Sequence, residues 1–204
     1  MKYIIMVILV VLALLTLTKK ETNGMKLTKN DTILALGDSL TYGFGASPSE
    51  SYPALLSKMT GLRVINAGIN GETSKEGLKR LPKLLEDPSV KLMILFFGGN
   101  DIMQRRSMED LKQNLKTMIQ MAKQKHIDVL LISVPNIGLF GLSPLPLYEE
   151  VAEEENIPLL SGMLADILSQ PSLKTDQIHP NASGYKKMAE RIYEILKEHG
   201  WINN

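Results

Sequence analysis

Ser39, Asp176 and His179 are the residues of this 204-residue chain whose types and order promise chemistry. A serine hydroxyl attacks an acyl carbon only when a nearby base takes its proton and a third group fixes that base's tautomer. Asp176 and His179 stand three residues apart in Asp176-Gln177-Ile178-His179-Pro180, a spacing that in a turn lays a carboxylate beside an imidazole. Asp176 then accepts the Nδ1 proton and Nε2 faces Ser39. A D-x-x-H pair alone is common; its combination with Ser39 points to nucleophilic acyl transfer. Such a reaction also needs donors aimed at the developing oxyanion. The backbone amides of Ser39 and Gly68 and the side-chain amide of Asn100 are the candidates. Gly68 reads equally as a turn residue and Gly98-Gly99-Asn100-Asp101 as a turn with a helix start, while Asp38 reads as a cap for exposed amides.

These residues depend on the elements that carry them. From Asp31 onward, short apolar runs alternate with amphipathic stretches of ten or more residues, the pattern of βαβ units on a parallel sheet. The fold class is α/β. Strands are expected at 32–36, 63–66, 92–97, 129–134 and 157–160, and helices at 52–59, 74–85, 108–125, 145–155 and 182–198. In the third of these helices Met108, Leu111, Leu115, Ile119 and Ala122 recur at spacings of three and four, which predicts one face packed on the sheet. Ligands of open parallel sheets gather beyond the carboxyl ends of the strands. Ser39, Gly68 and Asn100 each follow such an end, and Asp176 and His179 return there from late in the chain after a short helical excursion. His126 lies between a helix and the next strand, at the opposite edge, and His199 ends the last helix, where a cation suits the dipole. The Trp201-Ile202 tail is expected to be exposed, free to pack on its own domain or on a neighbour.

Composition narrows the function further. The apolar fraction of 44% and charged fraction of 22% are those of a globular domain. A net charge of +1 with interleaved signs offers no field for nucleic acid. The absence of cysteine excludes disulfides, thiolate metal sites and a cysteine nucleophile. The three histidines are scattered without ligand spacing, so neither a metal nor another cofactor is expected.

The first twenty residues differ in kind. Lys2 is followed by an apolar or weakly polar run from Tyr3 to Thr18, closed by Lys19 and Lys20. As a helix it would span roughly 24 Å, the scale of a signal-peptide core or a short membrane anchor. No small-residue cleavage pattern follows, which favours an uncleaved anchor over a removed signal. The expected organisation is a signal or anchor at 1–20, a linker at 21–30 and a hydrolase domain at 31–204, outside the cytoplasm. Translation starting at Met25 would instead give a cytoplasmic product.

At the catalytic candidates the sequence resembles the GDSL or SGNH hydrolase family. Its first block matches Gly37-Asp38-Ser39-Leu40, its second Gly68, its third Gly99-Asn100-Asp101 and its last Asp176 and His179. The likeness runs from about Thr32 to the end, and the compact length is similar to that of bacterial lysophospholipase, thioesterase and arylesterase members. It implies a three-layer α/β/α, flavodoxin-like fold with a central, mostly parallel five-stranded sheet. It also implies a Ser-His-Asp triad, an oxyanion hole of Ser39, Gly68 and Asn100, and metal independence. No lipase-type G-x-S-x-G elbow is present, which argues against the larger α/β-hydrolase fold.

Family members act on acyl esters, thioesters and acetylated sugars. The loop at 135–147, with Ile137, Leu139, Phe140 and Leu142, is expected to line an acyl groove, act as a lid, or serve as an ordinary connection. Together with the apolar N-terminus it favours lipid-like or medium-chain acyl esters. An acetyl esterase acting on carbohydrate and a non-catalytic binding module on the same fold are the alternatives.

Overall fold

The computed structural model of the protein describes residues 25–138 and 141–203. Its centre is β1 (Thr32–Gly37), six residues with every side buried. Strand β3 (Val90–Phe96) is nearly as covered, and β4 (Asp128–Ile132) is buried from its second residue on. Continuous apolar runs of this kind belong to strands with helices on both faces. β2 (Arg63–Gly68) is more exposed, as an edge strand is, and the two-residue β7 (Leu159–Leu160) forms the other edge. The sheet order is β2-β1-β3-β4-β7 and every pairing is parallel, so the mostly parallel sheet is wholly parallel.

Handedness places the helices. α2 (Tyr52–Thr60) carries the chain from β1 outward to β2. α3 (Ser74–Leu84), α5 (Met108–Gln124) and α6 (Leu147–Glu154) carry it in the opposite direction, to β3, β4 and β7. Right-handed crossovers in opposite directions put α2 on one face and the other three on the second. The long final helix α8 (Ala182–Glu198) packs beside α2. The result is three layers, with the switch of direction lying between β1 and β3, where ligands collect in such sheets.

The helix faces follow the sequence pattern. Leu111, Leu115, Ile119 and Ala122 of α5 are buried, joined by Met118, while Met108 at the first position is exposed. Tyr185, Met188, Ala189, Ile192 and Leu196 of α8 are buried as spaced. Each such large side chain contributes about 1.5–3 kcal/mol of burial.

Two stretches depart from expectation. Trp201, expected in an exposed tail, is buried, and its Nε1 donates to Asp128 Oδ2 at 2.6 Å. Leu27, within the stretch assigned to a linker, is also buried, with its N–H on the carbonyl of Trp201 at 2.8 Å, and the N–H of Met25 reaches Asp128 at 3.1 Å. Indole and backbone donors thus close on one carboxylate where β4 begins. The second departure is a hairpin inside the 135–147 loop, β5 (Asn136–Gly138) paired antiparallel with β6 (Gly141–Ser143). The signal or anchor assigned to 1–20 lies outside the described residues; among those described, no helix is long and apolar enough to cross a membrane.

Candidate active site

β1 stops at Gly37 and the chain turns at once into α1 (Ser39–Tyr42), a single turn that puts Ser39 at its first position. Asp38 caps that turn, Oδ1 accepting the N–H of Leu40 at 3.0 Å. The N–H of Ser39, like others in a first helical turn, has no partner within the helix, and none elsewhere among the described residues.

The imidazole comes from a loop closed on itself. A bridge pairs Lys174 with Pro180, and the N–H of Thr175 donates to the carbonyl of His179 at 2.9 Å. Asn181, capping α8, holds the loop's base through Nδ2 on the carbonyl of Ser172 at 2.9 Å. Inside the loop Asp176 accepts the N–H groups of Ile178 and His179 on Oδ1, at 2.8 and 2.9 Å. Its Oδ2 lies 2.8 Å from Nδ1 of His179, and Nε2 of the same ring lies 3.0 Å from Ser39 Oγ. Burial pushes the Asp176 carboxyl up, but the N–H of Ile178 and the His179 ring and N–H outweigh it and hold its pKa below the ordinary value. Phe44 covers the imidazole, with ring centroids 4.5 Å apart, and its carbonyl is held by the hydroxyl of Tyr185 at 2.8 Å.

The opposite wall is buried and polar. Asn100 sits in α4 (Gly99–Met103), the short turn after β3, and its Nδ2 donates to the carbonyl of Glu72 at 3.0 Å and to Asp38 Oδ2 at 3.3 Å. Asp101 accepts both the N–H and the hydroxyl of Ser74, at 2.9 and 2.6 Å, so an acid completes the N-terminus of α3 and ties α4 to it. Burial, the nearby charges of Asp101 and Glu72, and only partial relief from the N–H of Leu40 raise the pKa of Asp38 to about 7.

Gly68 does not join this wall. Its N–H is taken by Asn66 Oδ1 at 3.0 Å, and it borders a separate depression with Tyr42 and Pro48. Its smallness serves packing: a Cβ there would stand 2.1 Å from the backbone nitrogen of Tyr42. The expectation that Gly68 supplies an oxyanion donor is therefore corrected. Gly99 lines the site itself, and beyond β2 Gly71 stands at φ +78 in a turn closed by the N–H of Glu72 on the carbonyl of Ile69 at 3.3 Å. Gly71 immediately precedes the residue whose carbonyl holds Asn100, and its own N–H has no partner among the described residues. The Asn70-Gly71 dipeptide, a strong turn signal, marked this position in the sequence.

Between the two walls lies a cavity of about 300 Å³, bordered by Ser39, Asn100 and His179 on its polar side. Its apolar side is built by Ile102, Met103, Leu164, Leu168 and Ile178, with Val134 and Pro135 from the end of β4. Leu164 and Leu168 belong to α7 (Met163–Leu168). Six residues were too few to reveal a helical period in the sequence, though these two stand one turn apart. Leu142 instead rests half-buried on the hydrophobic core, Leu139 and Phe140 lie outside the described residues, and of Ile137 only the backbone pairing in β5 is described. His126 sits between α5 and β4, and the His199 ring lies 5.4 Å from that of Trp201, both away from Ser39.

Residues 35–187 match the model of the GDSL-like Lipase/Acylhydrolase family. "Esterase TesA" of Pseudomonas aeruginosa is 33% identical over 176 residues, covering 81% of this chain and 88% of that protein. "Thioesterase 1/protease 1/lysophospholipase L1" of Escherichia coli (strain K12) is 32% identical over 174 residues, covering 82% and 84%. A crystal structure of TesA superposes with a TM-score of 0.76 at 31% identity, over 83% of this chain and 99% of the other.

Proposed function

Since this chain belongs to the GDSL-like Lipase/Acylhydrolase family and is a carboxylic ester hydrolase, we propose that Ser39, His179 and Asp176 form its catalytic triad and that it acts through an acyl-enzyme. The observation that carries this reading is the relay of two short contacts, Ser39 Oγ to His179 Nε2 at 3.0 Å and His179 Nδ1 to Asp176 Oδ2 at 2.8 Å. His179 takes the hydroxyl proton as Ser39 Oγ bonds to the acyl carbon, then returns it to the departing alcohol or thiol. Water repeats the sequence on the acyl-enzyme and releases the acid. Asp176 keeps the imidazole in the required tautomer and balances its charge. The oxyanion donors are the N–H groups of Ser39 and Gly71 and the amide of Asn100.

An apolar cavity directly beside Ser39 supports an acyl group of medium length as the preferred substrate part. The names of the relatives accord with esters, thioesters and lysophospholipids as the substrate class. The residues before Met25 deliver the enzyme beyond the cytoplasm. A reporter fusion to the full chain recovered only in the soluble cytoplasm would refute that placement.

A fluorophosphonate probe is expected to label the wild type and not Ser39→Ala, whose ester turnover should fall by about 10⁴-fold or more. Across aryl esters of increasing chain length, the wild-type rate should peak at medium chains. Leu164→Trp, which fills the cavity, should move that peak to shorter ones. An acetate-only profile would favour an acetyl esterase instead, and absence of labelling would overturn the triad.

A further inference from the structure

We propose that Arg80 and Glu72 are positioning residues of the oxyanion side, holding the turn that aims Asn100 and Gly71 at the acyl oxygen. The inference rests on the catalytic reading above.

Arg80 lies in α3 and reaches back over the carboxyl ends of β1 and β2. Its Nε donates to Glu72 Oε1 at 2.7 Å, and its Nη2 donates to Glu72 Oε2, to the carbonyl of Ala67 at 2.6 Å and to that of Gly37 at 3.4 Å. The carbonyl of Gly37 also receives the N–H of Ile69 at 3.1 Å. One guanidinium therefore fastens the last residues of two neighbouring strands to the turn that follows the second of them. Glu72 closes that turn, and its carbonyl accepts the Asn100 amide. The path from Arg80 to the amide runs through a single residue.

The pair is placed where a merely stabilising ion pair is hard to justify. The Glu72 side chain is 6% exposed and that of Arg80 23% exposed, so both charges have been taken largely out of water. Such a pair gives little net stability compared with apolar side chains of the same volume. What it provides is geometry. A planar fork with fixed donor directions defines the position of a carboxylate and two carbonyls together, which the single ammonium of a lysine does not. The turn needs this restraint because its other closure is one backbone bond of 3.3 Å around Gly71, the most permissive residue available.

The demand on Asn100 explains the need. Both contacts of its Nδ2 are occupied in the resting site, firmly by the Glu72 carbonyl and more loosely, at 3.3 Å, by Asp38. The hydrogen turned toward Asp38 is the one available to a developing oxyanion, provided the Glu72 carbonyl keeps hold of the other. If the turn drifts, the amide rotates with it.

The test is steady-state turnover of an aryl ester by wild type, Arg80→Lys, Glu72→Gln and the double variant, each checked for its near-ultraviolet dichroism. We expect kcat to fall between about 10- and 100-fold in each single variant, as small misplacements of catalytic groups do. KM should change little, so that the loss falls on kcat. The double variant should be about as slow as either single one, because the two residues act as a unit. Wild-type kcat in both folded single variants, a rise in KM alone, or loss of the fold in both would overturn the proposal. A wild type that neither labels with fluorophosphonate nor hydrolyses the ester would sink the triad instead.

Discussion

The two walls of the crevice are built in opposite ways. The base wall is local and wet: Asp176 and His179 lie three residues apart in one loop, and the Asp176 side chain is 44% exposed. The donor wall is assembled from distant parts and dry: Asp38 follows β1, Glu72 follows β2, Asn100 and Asp101 follow β3, and all are buried. A local loop can hold a carboxylate by its own backbone N–H groups. A buried wall must satisfy every polar group from elsewhere in the fold, and here no buried side-chain polar atom among the described residues lacks a partner.

The contrast yields measurements that would break or sharpen it. The largest effect is expected at the base: Asp176→Asn leaves the loop's shape but presents the wrong tautomer partner, and kcat should fall by about 10⁴-fold. Because Asp176 is held below the ordinary carboxylate range, it should stay ionised wherever the enzyme turns over, and Asp176→Asn should change the height of the kcat/KM profile but not the number of protons on its acid limb. A proton missing from that limb in the variant would mean that Asp176 is not held as described.

Next come the walls' opposite responses to pH. Asp38, raised to about 7, keeps in the folded state a proton that the unfolded chain releases near pH 4. Its contribution to stability is therefore greatest below that value and is lost as pH rises to about 7, by at most about 4 kcal/mol. Asp176, lowered, has the reverse sign: its contribution is present above the unfolded carboxylate value and disappears as pH falls through its folded pKa. Urea unfolding of wild type and Asp38→Asn at pH 4.5 and 7.5 checks this, as the wild type should lose ground to the variant at the higher pH. An unchanged difference would mean that Asp38 does not carry a raised pKa.

Asn100→Ala should lower kcat by about 10²- to 10³-fold while fluorophosphonate still labels Ser39. A loss below tenfold would remove Asn100 from the donors. Phe44→Ala, which uncovers the imidazole, should reduce kcat/KM only a few-fold, in keeping with about 1 kcal/mol for a ring contact. A larger loss would show that the wet wall depends on its aromatic cover.

The same contrast explains what the sequence made legible. That Ser39, Asp176 and His179 would meet was readable because strand end, turn spacing and the adjacent Pro180 are local features. The α/β alternation and the buried faces of α5 and α8 were readable because periodicity is local too. Gly68 was misjudged because a glycine ending a strand and a glycine in the turn beyond it look alike until Asn66 and Tyr42 are brought against the first. The 135–147 loop gives the apolar wall Pro135, while Leu164 and Leu168 come from a helix of six residues, too short for a period to show. The roles of Arg80 and Glu72 depend on contacts with Gly37 and Asn100 that only the folded sheet creates.

The clasp at Asp128 has a practical meaning. Met25, Leu27 and Trp201 meet where β4 starts, whereas Ser39 follows the end of β1, and the strands between are parallel. Anything leashed to the chain ahead of Met25, whether a lipid leaflet, a bead or a fused protein, grips the molecule by its back. The mouth then opens outward, toward whatever drifts in from the far side.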